Sequence, residues 1–182
     1  SAFAQASPLP PEVNAWVVIQ PDDRVIIRIV RSEMGQGTLT GLAQLVAEEL
    51  ECDWARVTTE YPTPGESLKR KRAWGNFSTG GSRGIRESQE YVRKGGATAR
   101  LLLLQAAADE WKVPVGECRA ANSVITHKPS GRTKTYGSVA ALAATMPVPQ
   151  NPALKDNSEF KVIGTSPART DVPPKVDGSA KY

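Results

Sequence analysis

The sequence contains few residues of the kinds that bind metals or act as nucleophiles. Its 182 residues include two cysteines, Cys52 and Cys118, and a single histidine, His127. The cysteines stand far apart and outside any CxxC motif, which argues against a zinc site, haem ligation or a Cys–His nucleophile. One histidine likewise disfavours a Ser-His-Asp system. We therefore expect His127 on the surface of a hairpin, and the cysteines as a buried apolar residue and a helix-end residue.

Long apolar runs are also lacking. No stretch approaches the roughly 18 apolar residues that a membrane-spanning helix requires. Hydrophobic residues still make up 40% of the chain, which is enough for the core of one domain. The net charge of +4 permits an acidic ligand or partner without pointing to nucleic acid. The basic run at residues 69–72 is interpreted as a solvated loop rather than a nucleic-acid site.

Composition divides the chain into three parts. Residues 1–12 are proline-rich and predict an extended N-terminal arm. Ala2, Ala4 and Ala6 repeat the small-x-small pattern that a cleaved export signal leaves, so a periplasmic location is expected, although an arbitrary boundary would look the same. Residues 13–148 carry periodic patterns, and residues 149–182, with five prolines, predict an extended connector outside the core.

The first half of the periodic region predicts a hairpin followed by a helix. Two β-rich runs, at residues 14–19 and 24–31, flank a turn. Apolar residues then recur at helical spacing on one stripe: Leu39, Leu42, Ala43, Val46 and Leu50. The glutamates Glu48, Glu49 and Glu51 are expected on the solvated face of this helix.

The second half predicts another strand and a long helix. Residues 56–61 alternate as a third strand, and the aperiodic segment 62–84 is expected to be a functional loop. Residues 85–112 support a helix in which Gly95 and Gly96 would each cost about 1 kcal/mol relative to alanine, which favours close backbone packing or a kink. A hairpin and a short helix complete the module, at residues 123–136 and 137–145. The predicted fold class is α+β, a two-layer sandwich of a mixed sheet with two main helices.

Two glycine-rich turns between strand-like and helical segments are the candidate sites. The first turn comprises Gly35, Gln36, Gly37 and Thr38. The second turn comprises Gly80, Gly81, Ser82, Arg83 and Gly84. Backbone N–H groups, a carboxamide and one guanidinium suit a phosphate or a polar heterocycle. Neither turn is a Walker A or Rossmann motif, and two ordinary tight turns with positive φ remain the alternative.

Both turns carry a family resemblance. Residues 31–38, Arg-Ser-Glu-Met-Gly-Gln-Gly-Thr, and residues 78–83, Ser-Thr-Gly-Gly-Ser-Arg, resemble the molybdopterin-binding large subunit of the xanthine dehydrogenase/aldehyde oxidase family. Their position near the start of the chain resembles the isoquinoline 1-oxidoreductase beta-subunit type. Residues 168–182 resemble the entry into that family's hammerhead domain, so the module is expected to be part of a larger molybdopterin-binding domain.

The resemblance implies a cofactor and partners. It implies a molybdenum hydroxylase or aldehyde dehydrogenase with a pyranopterin cofactor, commonly the cytosine dinucleotide form. The first turn matches the one that contacts the pterin and molybdenum end, and the second matches the one that contacts the pterin and phosphate portion. Implied partners are the remaining large subunit, a small subunit with [2Fe–2S] clusters that take the electrons, and a c-type cytochrome as one candidate acceptor. An N-heterocycle and an aldehyde remain equally open as substrates.

The chain also departs from the family pattern. The family's general-base glutamate lies far beyond Tyr182, and Glu33 is interpreted as a structural carboxylate at a strand end. The cysteine clusters that hold iron–sulfur centres are lacking. We therefore expect a cofactor-binding piece rather than a self-sufficient enzyme. The alternative is a free-standing ligand- or partner-binding module of the same fold without redox activity.

Overall fold

In the computed structural model, which describes residues 11–181, four strands form a mixed sheet. The strands lie side by side in chain order: β1 (Glu12–Asn14), β2 (Val17–Ile19), β3 (Val25–Arg28) and β4 (Val57–Glu60). The first three strands are antiparallel neighbours, whereas β4 runs parallel to β3. A parallel pair needs a crossover connection, and helix α1 (Thr38–Leu50) provides it. The strand predicted at residues 56–61 is therefore present, as β4.

The predicted hairpin is present, but its first run forms two strands. The side-chain oxygen of Asn14 accepts hydrogen bonds from the amides of Trp16 and Val17, at 2.9 and 3.0 Å. This local turn reverses the chain between β1 and β2, because asparagine competes with the strand ladder for backbone donors. Of the predicted arm, residues 1–10 lie outside the described residues and Glu12 belongs to β1.

Helices α1 and α4 (Gln89–Trp111) cover one face of this sheet. The stripe predicted on α1 is buried throughout. A Cβ added to Gly96 would stand 2.4 Å from the carbonyl oxygen of Val46 on α1, and one added to Gly95 would stand 2.8 Å from the Trp16 ring. Close backbone packing therefore explains both glycines, and the helix continues through them.

A second sheet, of which the sequence predicted only the hairpin, packs against α4. Its three antiparallel strands are β5 (Cys118–Ala121), β6 (Val124–His127) and β7 (Thr133–Thr135), followed by α5 (Tyr136–Ala143). The hairpin of β6 and β7 and the short helix were predicted. The sequence of β5, Cys-Arg-Ala-Ala, lacks the β-branched and aromatic residues that mark a strand, and it forms by pairing with β6.

The expectation that His127 lies on the surface is wrong. Its side chain is buried, with Nδ1 2.6 Å from the Ser130 hydroxyl and Nε2 2.7 Å from a Glu117 carboxylate oxygen. Hydrogen bonds at both ring nitrogens make that burial tolerable. Cys52 and Cys118 are free and buried, and burial raises the pKa of Cys52 to about 12.

The long loop contains two short helices. Helix α2 (Pro64–Lys69) starts in a capping box, in which Thr63 and Glu66 each bind the other's backbone amide. The Thr-x-x-Glu spacing that marks this box was readable in the sequence. Helix α3 (Arg83–Arg86) follows the second glycine-rich turn. Segment 62–84 is thus more ordered than the aperiodic pattern suggested.

The carboxylates of Glu48 and Glu49 are buried, so the prediction of a solvated face is wrong for these two residues. The Lys155 ammonium lies 2.8 Å from a Glu48 oxygen, and the Lys155 amide donates to Glu49. The amides of residues 161–163 donate to the second Glu48 oxygen. The segment 155–163 therefore packs on α1 instead of extending away from the module. The last helix is α6 (Val172–Asp177).

Candidate functional site

The two glycine-rich turns meet at the amino-terminal end of α1. The Ser32 amide donates to the Thr79 hydroxyl at 2.9 Å, which joins the segments before the two turns. A Cβ added to Gly84 would stand 3.0 Å from two side-chain atoms of Thr38, so α3 lies directly against the start of α1. Residues 33–38 and 78–84 therefore form one site, here called the two-turn site.

Glu33 determines the shape of the first turn. One of its carboxylate oxygens accepts hydrogen bonds from the amides of Gly35 and Gly37, at 2.7 and 2.9 Å. The other oxygen accepts from the Leu39 amide at 3.0 Å. Gly35 and Gly37 have φ values of 100° and 85°, a left-handed conformation that glycine adopts most readily. The carboxylate thus occupies the amides at the start of α1, which agrees with the structural role predicted for Glu33.

Gln36 uses its carboxamide within the same turn. Its Nε2 donates to the Ser32 carbonyl at 2.9 Å, and its Oε1 accepts from the Met34 amide at 2.5 Å. The amides of Gly35 and Gly37, which the sequence predicted as donors to a ligand, already donate to Glu33. Contact of the first turn with a cofactor stays a prediction.

Replacing Glu33 with glutamine is expected to lower the free energy of unfolding by about 1 kcal/mol near pH 7, a typical loss for a helix cap. Burial alone would raise the pKa of Glu33, but hydrogen bonds from the amides of Gly37, Leu39 and Gly35 lower it from its ordinary value. The stabilisation is therefore present above the unfolded-state pKa and is lost as pH falls through the folded-state pKa.

Urea unfolding at about pH 7 and about pH 3 measures this loss. The exposed Glu87→Gln variant is the control, since its carboxylate accepts only loose ion pairs from Arg83 and Arg86 at 3.5 and 3.6 Å. The difference between Glu33→Gln and wild type should shrink towards the acidic pH. A difference that stays constant over that range would contradict the capping role.

In the described part of the chain, several backbone amides of the second turn have no hydrogen-bond acceptor. Gly81 and Ser82 both adopt left-handed φ, at 67° and 57°. The amides of Gly80, Gly81 and Ser82 have no acceptor within residues 11–181. Arg83 adds a half-exposed guanidinium 3.5 Å from Glu87. This exposed turn is the part of the two-turn site that presents free donors to a ligand.

Two arginines to which the sequence assigned no role contact the two-turn site. Arg31 is buried and donates to the Ser78 carbonyl ahead of the second turn. Arg169 donates to the Gly35 carbonyl at 3.0 Å and to Glu33 at 3.3 Å. No local pattern marks either residue, because each contact joins segments more than 45 positions apart, by 47 for Arg31 and by 134 and 136 for Arg169.

Arg169 belongs to a charged cluster that fixes the C-terminal segment to the first turn. Hydrogen bonds from Arg169 lower the pKa of Asp171 well below its ordinary range, and a further bond from Lys175 adds to the effect. The Thr170 amide donates to the Thr40 hydroxyl at 2.9 Å. The segment that follows Pro167 is thereby held against the start of α1.

A groove of about 1230 Å³ is lined by residues of the first turn, β4 and α6. Its lining includes the exposed side chains of Met34 and Tyr61, together with Pro174 and Lys175. Within residues 11–181 no group of three or more His, Cys, Asp or Glu side chains is placed to bind a metal ion. In the same part of the chain, no helix combines the length and apolarity needed to cross a membrane.

Known proteins resemble the chain over most of its length. Residues 1–179 match the family model described as "Molybdopterin cofactor-binding domain". The beta subunit of isoquinoline 1-oxidoreductase from Brevundimonas diminuta is 32% identical over 93% of this chain and 26% of that protein. A nicotinate dehydrogenase subunit from Pseudomonas putida is 27% identical over 94% of this chain and 14% of that protein. The chain thus spans about a quarter or less of the length of these curated relatives.

Solved structures share the fold. A Cu,Mo-CO dehydrogenase superposes with a TM-score of 0.50 at 24% identity, over 69% of this chain and 15% of that one. Quinoline 2-oxidoreductase from Pseudomonas putida 86 superposes with a TM-score of 0.50 at 20% identity, over 72% of this chain and 16% of that one. At these identities the likeness concerns the fold, and it confirms the predicted α+β class.

Proposed function

The chain belongs to the molybdopterin cofactor-binding domain family, and from that premise we propose that it is the cofactor-binding segment of a molybdenum hydroxylase or aldehyde dehydrogenase large subunit. The observation that carries the proposal is the meeting of both glycine-rich turns in one site. A cofactor with a pterin ring and a phosphate offers two different chemical ends. A site built from two different turns has a separate set of groups for each end.

The residues of the two-turn site fit such a group. The unoccupied amides of Gly80, Gly81 and Ser82, with the guanidinium of Arg83, suit the anionic phosphate portion. Glu33 and Gln36 hold the first turn in shape, and its exposed residues Gly35 and Gln36 would lie against the polar edge of a pterin. Thr38 and Gly84 contact each other and set the distance between the two turns.

The bound group would supply two-electron redox chemistry for hydroxylating an N-heterocycle or an aldehyde with oxygen from water. This chain's own residues would bind and orient the group. Glu33 is assigned no proton transfer, because hydrogen bonds from three amides and one arginine occupy its carboxylate. The general base is therefore expected in another part of the large subunit.

The proposal extends to partners and location. Both curated relatives are named as individual subunits of an enzyme, which supports assembly with other polypeptides. The proposed partners are the rest of the large subunit, a [2Fe–2S] subunit and a c-type cytochrome, in the periplasm. The cytosine dinucleotide form of the cofactor is part of the same proposal, and the donors of the second turn suit the diphosphate that such a form contains. The alternative, a binding module without redox activity, predicts none of these associations.

Molybdenum content of the assembled complex tests the proposal. We expect near-stoichiometric molybdenum in wild type and a several-fold loss in Gln36→Ala, because one buried or constrained hydrogen-bonding group is typically worth about 1–3 kcal/mol. Gln105→Ala is the matched control, since that carboxamide bonds only Asp109 on the exposed side of α4. Elemental analysis and far-ultraviolet circular dichroism measure loading and folding separately.

Two results would contradict these assignments. A native complex without molybdenum or pterin would favour the binding module and end the proposed redox role. A folded Gln36→Ala complex with wild-type molybdenum content would remove Gln36 from the cofactor contacts while leaving the family assignment unchanged.

A further inference from the structure

Among the residues that the structure describes, buried charged side chains have partners of opposite charge, with one exception. The buried members of this group are Arg31, Glu48, Glu49, His127, Lys155 and Asp171. Lys155 neutralises Glu48, Arg93 neutralises Glu49, and Asp171 binds two cations. Glu117 faces His127. Within residues 11–181, Arg31 alone of this group has only neutral partners.

Each nitrogen of the Arg31 guanidinium has a hydrogen-bond partner, but none of these partners carries a negative charge. Its Nε donates to the Ser88 hydroxyl at 2.9 Å, and one terminal nitrogen donates to the Ser78 carbonyl. The other terminal nitrogen lies 3.4 Å from the Tyr91 hydroxyl, which itself donates to Ser88 at 2.7 Å. These contacts account for three of the five N–H groups of the guanidinium. They leave a full positive charge that is 2% exposed to solvent.

This charge lies next to the second glycine-rich turn. Arg31 binds the carbonyl two positions ahead of Gly80, and its chain neighbour Ser32 binds Thr79. Ser88, on the other side of Arg31, lies at the start of α4 just after α3. Arg31 therefore touches the chain both before and after the turn whose amides lack acceptors.

Burying a charge without a counter-charge costs free energy, because the interior does not replace the hydration that the charge loses. In the low dielectric of the interior, the same charge attracts a nearby anion more strongly than it would in water. We propose that Arg31 is a positioning residue of the two-turn site: it fixes the second turn and supplies the charge that a bound diphosphate neutralises. This inference rests on the proposed function, and it names the diphosphate class as the ligand of residues 80–82.

Pyrophosphate binding to the full chain tests the inference. Thermal unfolding is followed at constant ionic strength over increasing concentrations of inorganic pyrophosphate, and the apparent Kd is taken from the rise in Tm. Wild type is expected to show saturable stabilisation. Arg31→Gln should bind roughly tenfold more weakly or worse, as expected for removing a charge from a poorly solvated site. Arg31→Lys keeps the charge and should recover most of the affinity.

Arg119→Gln is the matched control. Arg119 also donates only to neutral carbonyls, those of Gly116 and Cys118, but it lies in the second sheet. The variant removes the same net charge and should bind pyrophosphate like wild type. If Arg31→Gln does not fold, Arg31→Lys decides the matter, since a folded lysine variant that binds no pyrophosphate contradicts the charge role.

Three further outcomes would overturn the inference: equal affinity of wild type and Arg31→Gln, equal weakening in Arg119→Gln, or no saturable binding to wild type. These results are distinguishable from failure of the proposed function, which is read from molybdenum in the assembled complex. If the complex contains molybdenum but pyrophosphate does not raise the Tm of the chain, the inference is contradicted and the proposed function is not. A pyrophosphate response that depends on Arg31, in a chain whose complex lacks molybdenum, would retain the anion site and remove the redox role.

Discussion

Replacing Gly96 with alanine is expected to lower the free energy of unfolding by about 3 kcal/mol. Alanine favours a helix by about 1 kcal/mol relative to glycine, so propensity alone predicts stabilisation. The added methyl group, however, would stand 2.4 Å from the Val46 carbonyl oxygen, in the backbone of α1. A backbone atom cannot move aside as a side chain can, so α1 and α4 must separate and lose contacts along their length.

The expected loss corresponds to a fall in Tm of about 10 °C for a chain of this size. Gly116→Ala is the control, because nothing lies within 4 Å of a Cβ at that position. Calorimetry or urea unfolding of both variants measures the difference. A Gly96→Ala protein as stable as wild type would mean that the two helices do not pack as closely as described. It would then favour the kink that the sequence left open.

Replacing Glu48 with alanine is expected to cost about 4 kcal/mol, in the range measured when one member of a buried ion pair is removed. Lys155 would keep one carboxylate partner, Glu51 at 2.5 Å, and the amides of residues 161–163 would lose their acceptor. The C-terminal segment should then detach from α1. Limited proteolysis within residues 155–163 and urea unfolding measure the detachment and the stability loss.

The pH dependence follows from the directions of two pKa shifts. Burial alone would raise the pKa of Glu48, but the Lys155 hydrogen bond and the amides of residues 161–163 bring it below its ordinary value. Burial alone would lower the pKa of Lys155, but its two glutamate partners raise it. The pair is therefore lost as pH falls through the folded-state pKa of Glu48, and also as pH rises through that of Lys155.

The exposed pair of Glu90 and Lys94 provides the control for Glu48. Glu90→Ala removes an ion pair of similar length on the solvated side of α4, where such pairs contribute little. Its unfolding curve and protease sensitivity should match those of wild type. A Glu48→Ala protein that also matches wild type would contradict the attachment of the C-terminal segment through this carboxylate.

Features that depend on local spacing could be predicted from the sequence. The stripe on α1 and the hairpin turns follow from residues a few positions apart. Gly95 and Gly96 left close packing or a kink open, because their neighbours Trp16 and Val46 lie far away in the sequence. The positions of both glycine-rich turns were also predicted, because strand and helix patterns stop at them. The capping box of α2 was readable by the same logic but was not recognised.

Features that depend on distant partners could not be predicted in this way. Glu48 and Glu49 occupy positions that suit a solvated helix face. Their burial follows only once Lys155 and Arg93 supply charges from 107 and 44 positions away. His127 is buried because Glu117 and Ser130 take both ring nitrogens. At the two-turn site, nothing local indicated that Arg31 would bind Ser78 and Ser88, 47 and 57 positions away, without a counter-charge within residues 11–181.

The distance in sequence between Glu48 and Lys155 has a consequence for synthesis on the ribosome. Chains emerge at about 5–20 residues per second, so the Glu48 carboxylate is made several seconds or more before Lys155. During that interval Glu48 lacks its buried ammonium partner, and segment 155–163 cannot yet cover α1. The nascent chain therefore completes the packing of α1 only after residues 155–163 have left the exit tunnel. A chaperone acting on this protein would have its opportunity in that interval.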